Sequence, residues 1–262
     1  MRFRSICSAL VFLMLTAASS QAEQLTVAAP RGFKRALKEV SRFFEKGNPG
    51  WEVSLEFGKS NELIRKIETG SGVDVLVTTD EEKLDSLDQK NLLVKGSRLQ
   101  LVASEAILIA SAKSELILKE LNDLTSDKVK AIAMLKDTTP MGRKSRKCLK
   151  SAGLLDTLQP KLVEATDMPA AMAMVQKGTA DCTFAHTTDA EDATMFKILL
   201  RIPESEIPAI RYSAAIPSAS KNQEKAGAFL TALRSTSAKS IFENAGFRVI
   251  TSAQTQTSPS HR

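Results

Sequence analysis

Aromatic residues are scarce in this chain. They make up 5% of its 262 residues, with a single Trp (Trp51) and a single Tyr (Tyr212). Surfaces that bind single-stranded nucleic acid depend on aromatic rings on which the bases stack, and sugar-binding platforms use rings in a similar way. Because the chain has so few rings, the sequence predicts no nucleic-acid partner and disfavours a carbohydrate ligand.

Charge of one sign is not concentrated anywhere in the chain. The sequence has 36 basic and 30 acidic residues, which gives a net charge of +6. These residues are spread along the sequence rather than gathered in one block, so the basic excess favours an anionic ligand only weakly. The hydrophobic share of 43% and the charged share of 25% are those of an ordinary folded protein.

The common motifs of enzymes are also missing from the sequence. It contains no Gly-x-Ser-x-Gly elbow, no phosphate-binding loop and no His-x-x-x-His pair. His186 is the only histidine before residue 251, and no pattern places it beside Cys148 as the base that a nucleophilic thiol needs. We therefore predict a protein that is not an enzyme and has no cofactor. A secreted enzyme or sensor stays open as an alternative.

No stretch of the chain approaches the roughly 20 apolar residues of a membrane-spanning helix. An apolar run at 6–18 follows Arg2 and Arg4 and leads into small residues that end at Ala22. This order is typical of a secretory signal peptide, so we predict cleavage after Ala22 and export to the periplasm. Removing this leader leaves 34 basic and 30 acidic residues, a net charge of +4.

The sequence has only three cysteines, and Cys7 lies in the predicted leader. Cys148 and Cys182 remain in the exported chain. In an oxidising compartment these two thiols either form one disulfide or stay separate and buried. The sequence leaves both possibilities open, because it does not show whether the two residues come within bonding distance.

What the chain does have is an alternation of strand and helix patterns. Strands are predicted at 25–29, 51–57 and 73–79, each followed by a helix with apolar residues at helical spacing. Consecutive β-α units imply a parallel sheet with helices on both faces. Two apolar strands at 99–104 and 106–110, with no helix between them, mark a crossover into a second lobe.

The predicted fold class is therefore α/β, with two lobes that each hold a mainly parallel sheet flanked by helices. The first lobe comprises residues 23–103 and 217–250, and the second comprises 104–216. We read 210–216 as a return strand of the second lobe. The final segment, 251–262, is rich in Ser, Thr and Gln and is predicted to be a disordered tail.

Four strand-to-helix turns carry small or hydroxyl residues, at 30–32, 58–61, 138–142 and 166–169. The free N–H groups at the start of a helix bind anions well, and clefts between lobes are natural ligand sites. The same residue types also serve as ordinary helix caps that bind no ligand. Both interpretations stand at this point. Arg31 and Lys59 flank two of the turns, where they either steer anions or are solvated surface charges.

Eight short segments occur in an order that is found in one family. They lie at 25–29, 57–60, 73–80, 140–142, 155–163, 177–181, 188–190 and 246–247. In this order they resemble the periplasmic molybdate-binding proteins of ABC transporters, over about residues 24 to 250. The resemblance implies a type II periplasmic-binding fold that closes on a tetrahedral oxyanion, molybdate or tungstate, and docks as a monomer on an inner-membrane permease.

The resemblance also implies the ligand-binding positions and shows where this chain departs from the family. Gly32 replaces a serine and so keeps a backbone donor but loses a hydroxyl, whereas the second serine is present as Ser60. Met141 and Met168 fall where the family donates backbone N–H groups. His186 replaces the tyrosine that closes the site.

These departures allow a different ligand. Thioethers and an imidazole are soft ligands that suit copper, so Met141, Met168 and His186 form an alternative metal site if all three face one cleft. In the other interpretation, the methionine side chains pack locally and only their backbone N–H groups reach the cleft.

Overall fold

The computed structural model describes residues 23–70, 72–190 and 194–250. The predicted signal peptide and the predicted C-terminal tail lie outside these described residues. Across the described ranges, no helix combines the length and the apolar character needed to cross a membrane.

The described residues form eleven strands and eight α-helices. The strands are β1 (Glu23–Pro30), β2 (Trp51–Gly58), β3 (Val75–Thr78), β4 (Leu99–Ser104), β5 (Ala106–Ser111), β6 (Ile132–Leu135), β7 (Leu162–Ala165), β8 (Cys182–His186), β9 (Phe196–Arg201), β10 (Ile210–Ala215) and β11 (Arg248–Val249). The helices are α1 (Lys34–Gly47), α2 (Ser60–Glu68), α3 (Glu81–Gln89), α4 (Pro140–Ser151), α5 (Leu155–Leu158), α6 (Met168–Lys177), α7 (Gln223–Ala232) and α8 (Thr236–Asn244).

The first lobe is built on a six-stranded sheet with the order β11-β4-β10-β3-β1-β2. Strand β1 pairs in parallel with both β2 and β3, and β10 and β11 add antiparallel pairings. Leu25 and Val27 pack into a core with α1, α7 and α8, whereas Ala28 belongs to a second core with α2 and α3. Helices therefore cover both faces of β1, which explains why Val27, Ala28 and Ala29 are consecutive apolar and buried residues.

The second lobe is built on a five-stranded sheet with the order β7-β6-β8-β5-β9. Strand β6 is parallel to β7 and β8, while β5 is antiparallel to β8 and β9. One continuous hydrophobic core fills this lobe. The chain enters the lobe through Glu105, the single residue between β4 and β5, and leaves it between β9 and β10. Arg248 forms ion pairs with Glu105 and Glu204, one on each connection.

The predicted fold class, α/β with two lobes, is confirmed, and two details differ. Each sheet joins a parallel three-stranded part to antiparallel strands, because β5 and β10 follow the crossovers, begin near the edge where the parallel strands end and run away from the other lobe. The predicted boundary at 216 is corrected, since Ile210–Ala215 pairs with β3 and β4 in the first sheet and not with the second lobe.

Both described cysteines are free and buried, which decides between the two possibilities that the sequence leaves open. Burial, together with the nearby Glu206 carboxylate, raises the pKa of the Cys148 thiol to about 12. Burial beside Asp181 likewise raises the pKa of Cys182 to about 12.

These pKa values predict unreactive thiols. Only the thiolate attacks a disulfide reagent, and at pH 8 a thiol of pKa about 12 is roughly one part in ten thousand thiolate. The mature protein should therefore release almost no chromophore from Ellman's reagent while folded, and two equivalents after denaturation without reductant. A denatured protein that titrates no thiol would show that Cys148 and Cys182 are joined.

Candidate functional site

The carboxyl ends of β2 and β3 bring two hydroxyl groups together across β1. Strand β1 lies between β2 and β3, and its last residue, Pro30, is in register with Gly58. Ser60 Oγ, at the start of α2, lies 3.3 Å from Thr79 Oγ1, which follows β3. Gly32, in the short 3₁₀ turn that follows β1, is exposed. The first lobe thus places Gly32, Ser60 and Thr79 at one edge of its sheet.

The second lobe has a matching edge, where the parallel strands β6, β7 and β8 end. Met141 lies at the start of α4 after β6, Met168 begins α6 after β7, and His186 is the last residue of β8. Because the three strands are neighbours in the order β7-β6-β8, these three residues lie at the same edge of the second sheet.

The caps of α4 and α6 leave one amide in each turn without a partner. Thr139 Oγ1 accepts from Gly142 N–H at 3.0 Å, and Asp167 Oδ1 accepts from Ala170 N–H at 2.8 Å. Among the described residues, none accepts a hydrogen bond from the N–H groups of Met141 and Met168. Such free amides at a helix start are ready-made donors for an anion.

The methionine side chains at these turns pack into the protein. Met141 is 4% exposed and belongs to the core of the second lobe, and the half-buried Met168 packs against the same core. The Met141 thioether is therefore part of the core rather than available to a metal. Within 23–70, 72–190 and 194–250, no group of three or more His, Cys, Asp or Glu side chains is arranged to hold a metal ion.

His186 also has a polar ring atom without a partner among the described residues. Its Nε2 atom is buried and makes no hydrogen bond to the described residues. Its Nδ1 lies 3.7 Å from Asp189 Oδ2, and its backbone N–H donates to the same carboxylate oxygen at 2.8 Å. Asp189 therefore fixes the turn after β8, while the far side of the imidazole stays unbonded.

A cavity of about 620 Å³ joins the two lobes beside the start of α1. It is lined by Arg31, Gly32, Lys34, Arg35 and Lys38 of the first lobe and by Thr188 and Asp189 of the second. Four of these side chains are basic and one is acidic, so the lining of the cavity favours anions. A hydrogen-bonding contact of 3.0 Å between Ser104 Oγ and Thr188 Oγ1 also links the lobes here.

Tyr212 lies next to Gly32, one of the residues that line this cavity, and the sequence did not indicate it. A Cβ atom on Gly32 would lie 3.0 Å from the hydroxyl oxygen of Tyr212. The ring is buried, stacks on Phe33 with a centroid distance of 5.2 Å, and meets Phe247 edge-on. Strand β10, which carries Tyr212, was assigned to the second lobe by sequence, so its contact with Gly32 could not be anticipated.

Comparisons with known proteins agree with this architecture. The family model described as "Bacterial extracellular solute-binding protein" matches residues 25–248. The molybdate-binding protein ModA of Haemophilus influenzae is 27% identical over 255 residues, with 94% of this chain and 98% of that protein covered. The molybdate-binding protein ModA of Escherichia coli is 25% identical, with 92% and 95% covered.

A solved structure is similar over the same length. The substrate-binding domain of a putative molybdenum ABC transporter from Clostridium difficile superimposes with a TM-score of 0.81 at 30% identity, and 87% of this chain and 99% of that one are covered. These findings confirm the resemblance that the ordered motifs predict, and the relatives are binding proteins of transport systems rather than enzymes. The chain belongs to the family of bacterial extracellular solute-binding proteins.

Proposed function

We propose that this protein binds a molybdate-like or tungstate-like oxyanion between its lobes and delivers it to the permease of an ABC importer. One observation supports the proposal above the others. Polar groups that have no hydrogen-bond partner among the described residues, the Met141 and Met168 N–H groups and His186 Nε2, lie at the edge where parallel strands of the second sheet end. Ligands of such folds commonly bind at this edge.

In this proposal the ligand is held by uncharged donors. Ser60 contributes its hydroxyl, and Gly32, Met141 and Met168 contribute backbone N–H groups. His186 contributes its Nε2 atom as a donor when that nitrogen is protonated. The basic side chains that line the cavity, Arg31 among them, attract the anion from a distance but do not hold it.

The copper alternative receives less support from the same geometry. It needs the Met141 sulfur at the cleft, and that side chain is 4% exposed inside the core of the second lobe. Without Met141, copper would have only His186 and Met168 as protein ligands, which are too few for a tight site.

Export, the permease partner and the monomeric state are part of the same proposal. The relatives named as molybdate-binding proteins and the similar ABC-transporter domain support the first two. We infer that the working protein begins at Glu23 in the periplasm and acts as a single chain.

A thermal-shift panel tests this function. A ligand that binds only the folded state stabilises it by about 2.7 kcal/mol at a hundred times its dissociation constant. For a chain of this size that is a rise in melting temperature of about 5–10 °C. We expect such a rise with molybdate and tungstate and a much smaller one with sulfate, whose shorter bonds reach fewer of the donors at once.

The panel also includes phosphate and copper, and its results can refute the proposal or favour the copper alternative. Unchanged melting temperatures with every oxyanion, phosphate included, would refute oxyanion binding. A rise with copper alone would favour the alternative metal site at Met141, Met168 and His186.

A further inference from the structure

We propose that the Tyr212 hydroxyl supplies the ligand donor that Gly32 lacks. This inference rests on the proposed function, because it concerns the same anion in the same cleft. The resemblance implies a serine where this chain has Gly32, which has no side chain and offers only its backbone N–H. Tyr212 reaches this position from a distant part of the chain.

Any side chain placed at position 32 would lie close to the Tyr212 hydroxyl. A Cβ atom at position 32 would point toward Tyr212 Oη and lie 3.0 Å from it. This separation is shorter than an ordinary contact between carbon and oxygen. A serine at position 32 would therefore crowd the tyrosine hydroxyl.

The surrounding residues fix the tyrosine ring in place. Phe33 stacks on it at 5.2 Å, and Phe247 packs edge-on at the same centroid distance. The pairing of β10 with β4 shifts register between Tyr212 and Ser213. The residue left unpaired by this shift, Leu101, belongs to β4, so the aromatic packing holds the Tyr212 ring rather than a bulge in its own strand. A donor held this way loses little conformational entropy on binding.

The protonation state suits a donor. Burial raises the pKa of Tyr212 to about 12, and the negative charge of Asp189 adds to this rise. The phenol therefore keeps its proton throughout the physiological range. Gly32, whose Cβ position lies next to the hydroxyl, lines the cavity between the lobes, so the Tyr212 hydroxyl lies near that cavity.

A swap of the two hydroxyl groups tests the inference. Tyr212→Phe removes the donor, and we expect tungstate affinity in isothermal titration calorimetry to fall about tenfold or more, the loss of one hydrogen bond to a charged group. Gly32→Ser alone should also weaken binding, since it crowds Tyr212. The double variant Gly32→Ser, Tyr212→Phe should regain affinity to within about threefold of the natural protein, because serine then has both the space and the hydroxyl.

Ser220→Ala serves as the matched control. It removes a buried hydroxyl that donates to Asp74 Oδ1 at 2.7 Å, near the opposite edge of the first sheet, so tungstate affinity should not change. Equal affinity of Tyr212→Phe and the natural protein would overturn the inference, and so would a double variant no better than Tyr212→Phe. If the double variant does not fold, Tyr212→Phe against Ser220→Ala decides alone. A natural protein that binds no oxyanion would instead overturn the proposed function.

Discussion

Replacing Gly142 with alanine is expected to destabilise the protein by about 3 kcal/mol or more and to abolish tungstate binding. A Cβ atom at this position would lie 2.0 Å from the Lys136 carbonyl oxygen and 2.6 Å from that of Leu135. Both atoms belong to the backbone at the end of β6 and cannot rotate away. The start of α4 would have to move, which breaks the hydrogen bond from Gly142 N–H to Thr139 Oγ1 and displaces the Met141 N–H.

Urea denaturation and tungstate titration of Gly142→Ala measure the two effects. Gly227→Ala is the control, because Gly227 lies within α7 and a Cβ there meets nothing within 4 Å. That variant should gain about 0.5–1 kcal/mol from the higher helix propensity of alanine and bind tungstate unchanged. A Gly142→Ala protein with the stability and the affinity of the natural protein would contradict the close packing of α4 against the end of β6.

Replacing Ser60 with alanine is expected to weaken tungstate binding by about ten- to a hundredfold, the range for one hydrogen bond to a charged group. The stability should change little. Ser60 is the first residue of α2 and Lys59 is its cap, so alanine at position 60 removes no capping bond. Among the described residues its hydroxyl contacts one polar group, Thr79 Oγ1 at 3.3 Å, at the edge where the ligand is proposed to bind.

Ser235→Ala should show the opposite pattern. Ser235 caps α8, and its hydroxyl accepts from Ala238 N–H at 3.1 Å. Its loss should cost about 1 kcal/mol of stability and leave the affinity unchanged. Calorimetric titration and urea denaturation of both variants separate the two effects. A Ser60→Ala protein that binds as tightly as the natural one would show that the site lies elsewhere.

Local patterns were sufficient to predict the first three β-α units. Their strands are short apolar or alternating runs, and helix α1 buries Ala36, Leu37, Val40 and Phe44 at helical spacing. Strand β9 was not predicted, because this strand has an irregular burial pattern with Ile198 left 41% exposed. Strand β10 was recognised but assigned to the wrong sheet. A strand's own residues do not say which distant neighbour it pairs with.

The same limit explains what was missed in the candidate site. Gly32 and Ser60 lie in turns that follow strands predicted from the sequence. The family resemblance indicated Met141, Met168 and His186 by position. Tyr212 joins Gly32 only through the pairing of β10 with β3 and β4, which is a long-range feature of the fold. Thr79 meets Ser60 across β1 for the same kind of reason.

The most direct test of the central claim is a crystal structure of the mature protein grown with tungstate. Tungsten scatters anomalously, so a difference map locates the atom without assumptions about the ligand. We predict one strong peak between the lobes, with oxygens in hydrogen-bonding distance of Ser60 Oγ and of the Met141 and Met168 N–H groups. A map with no peak between the lobes, or with tungsten bound only on the outer surface, would contradict the proposed site and with it the proposed function.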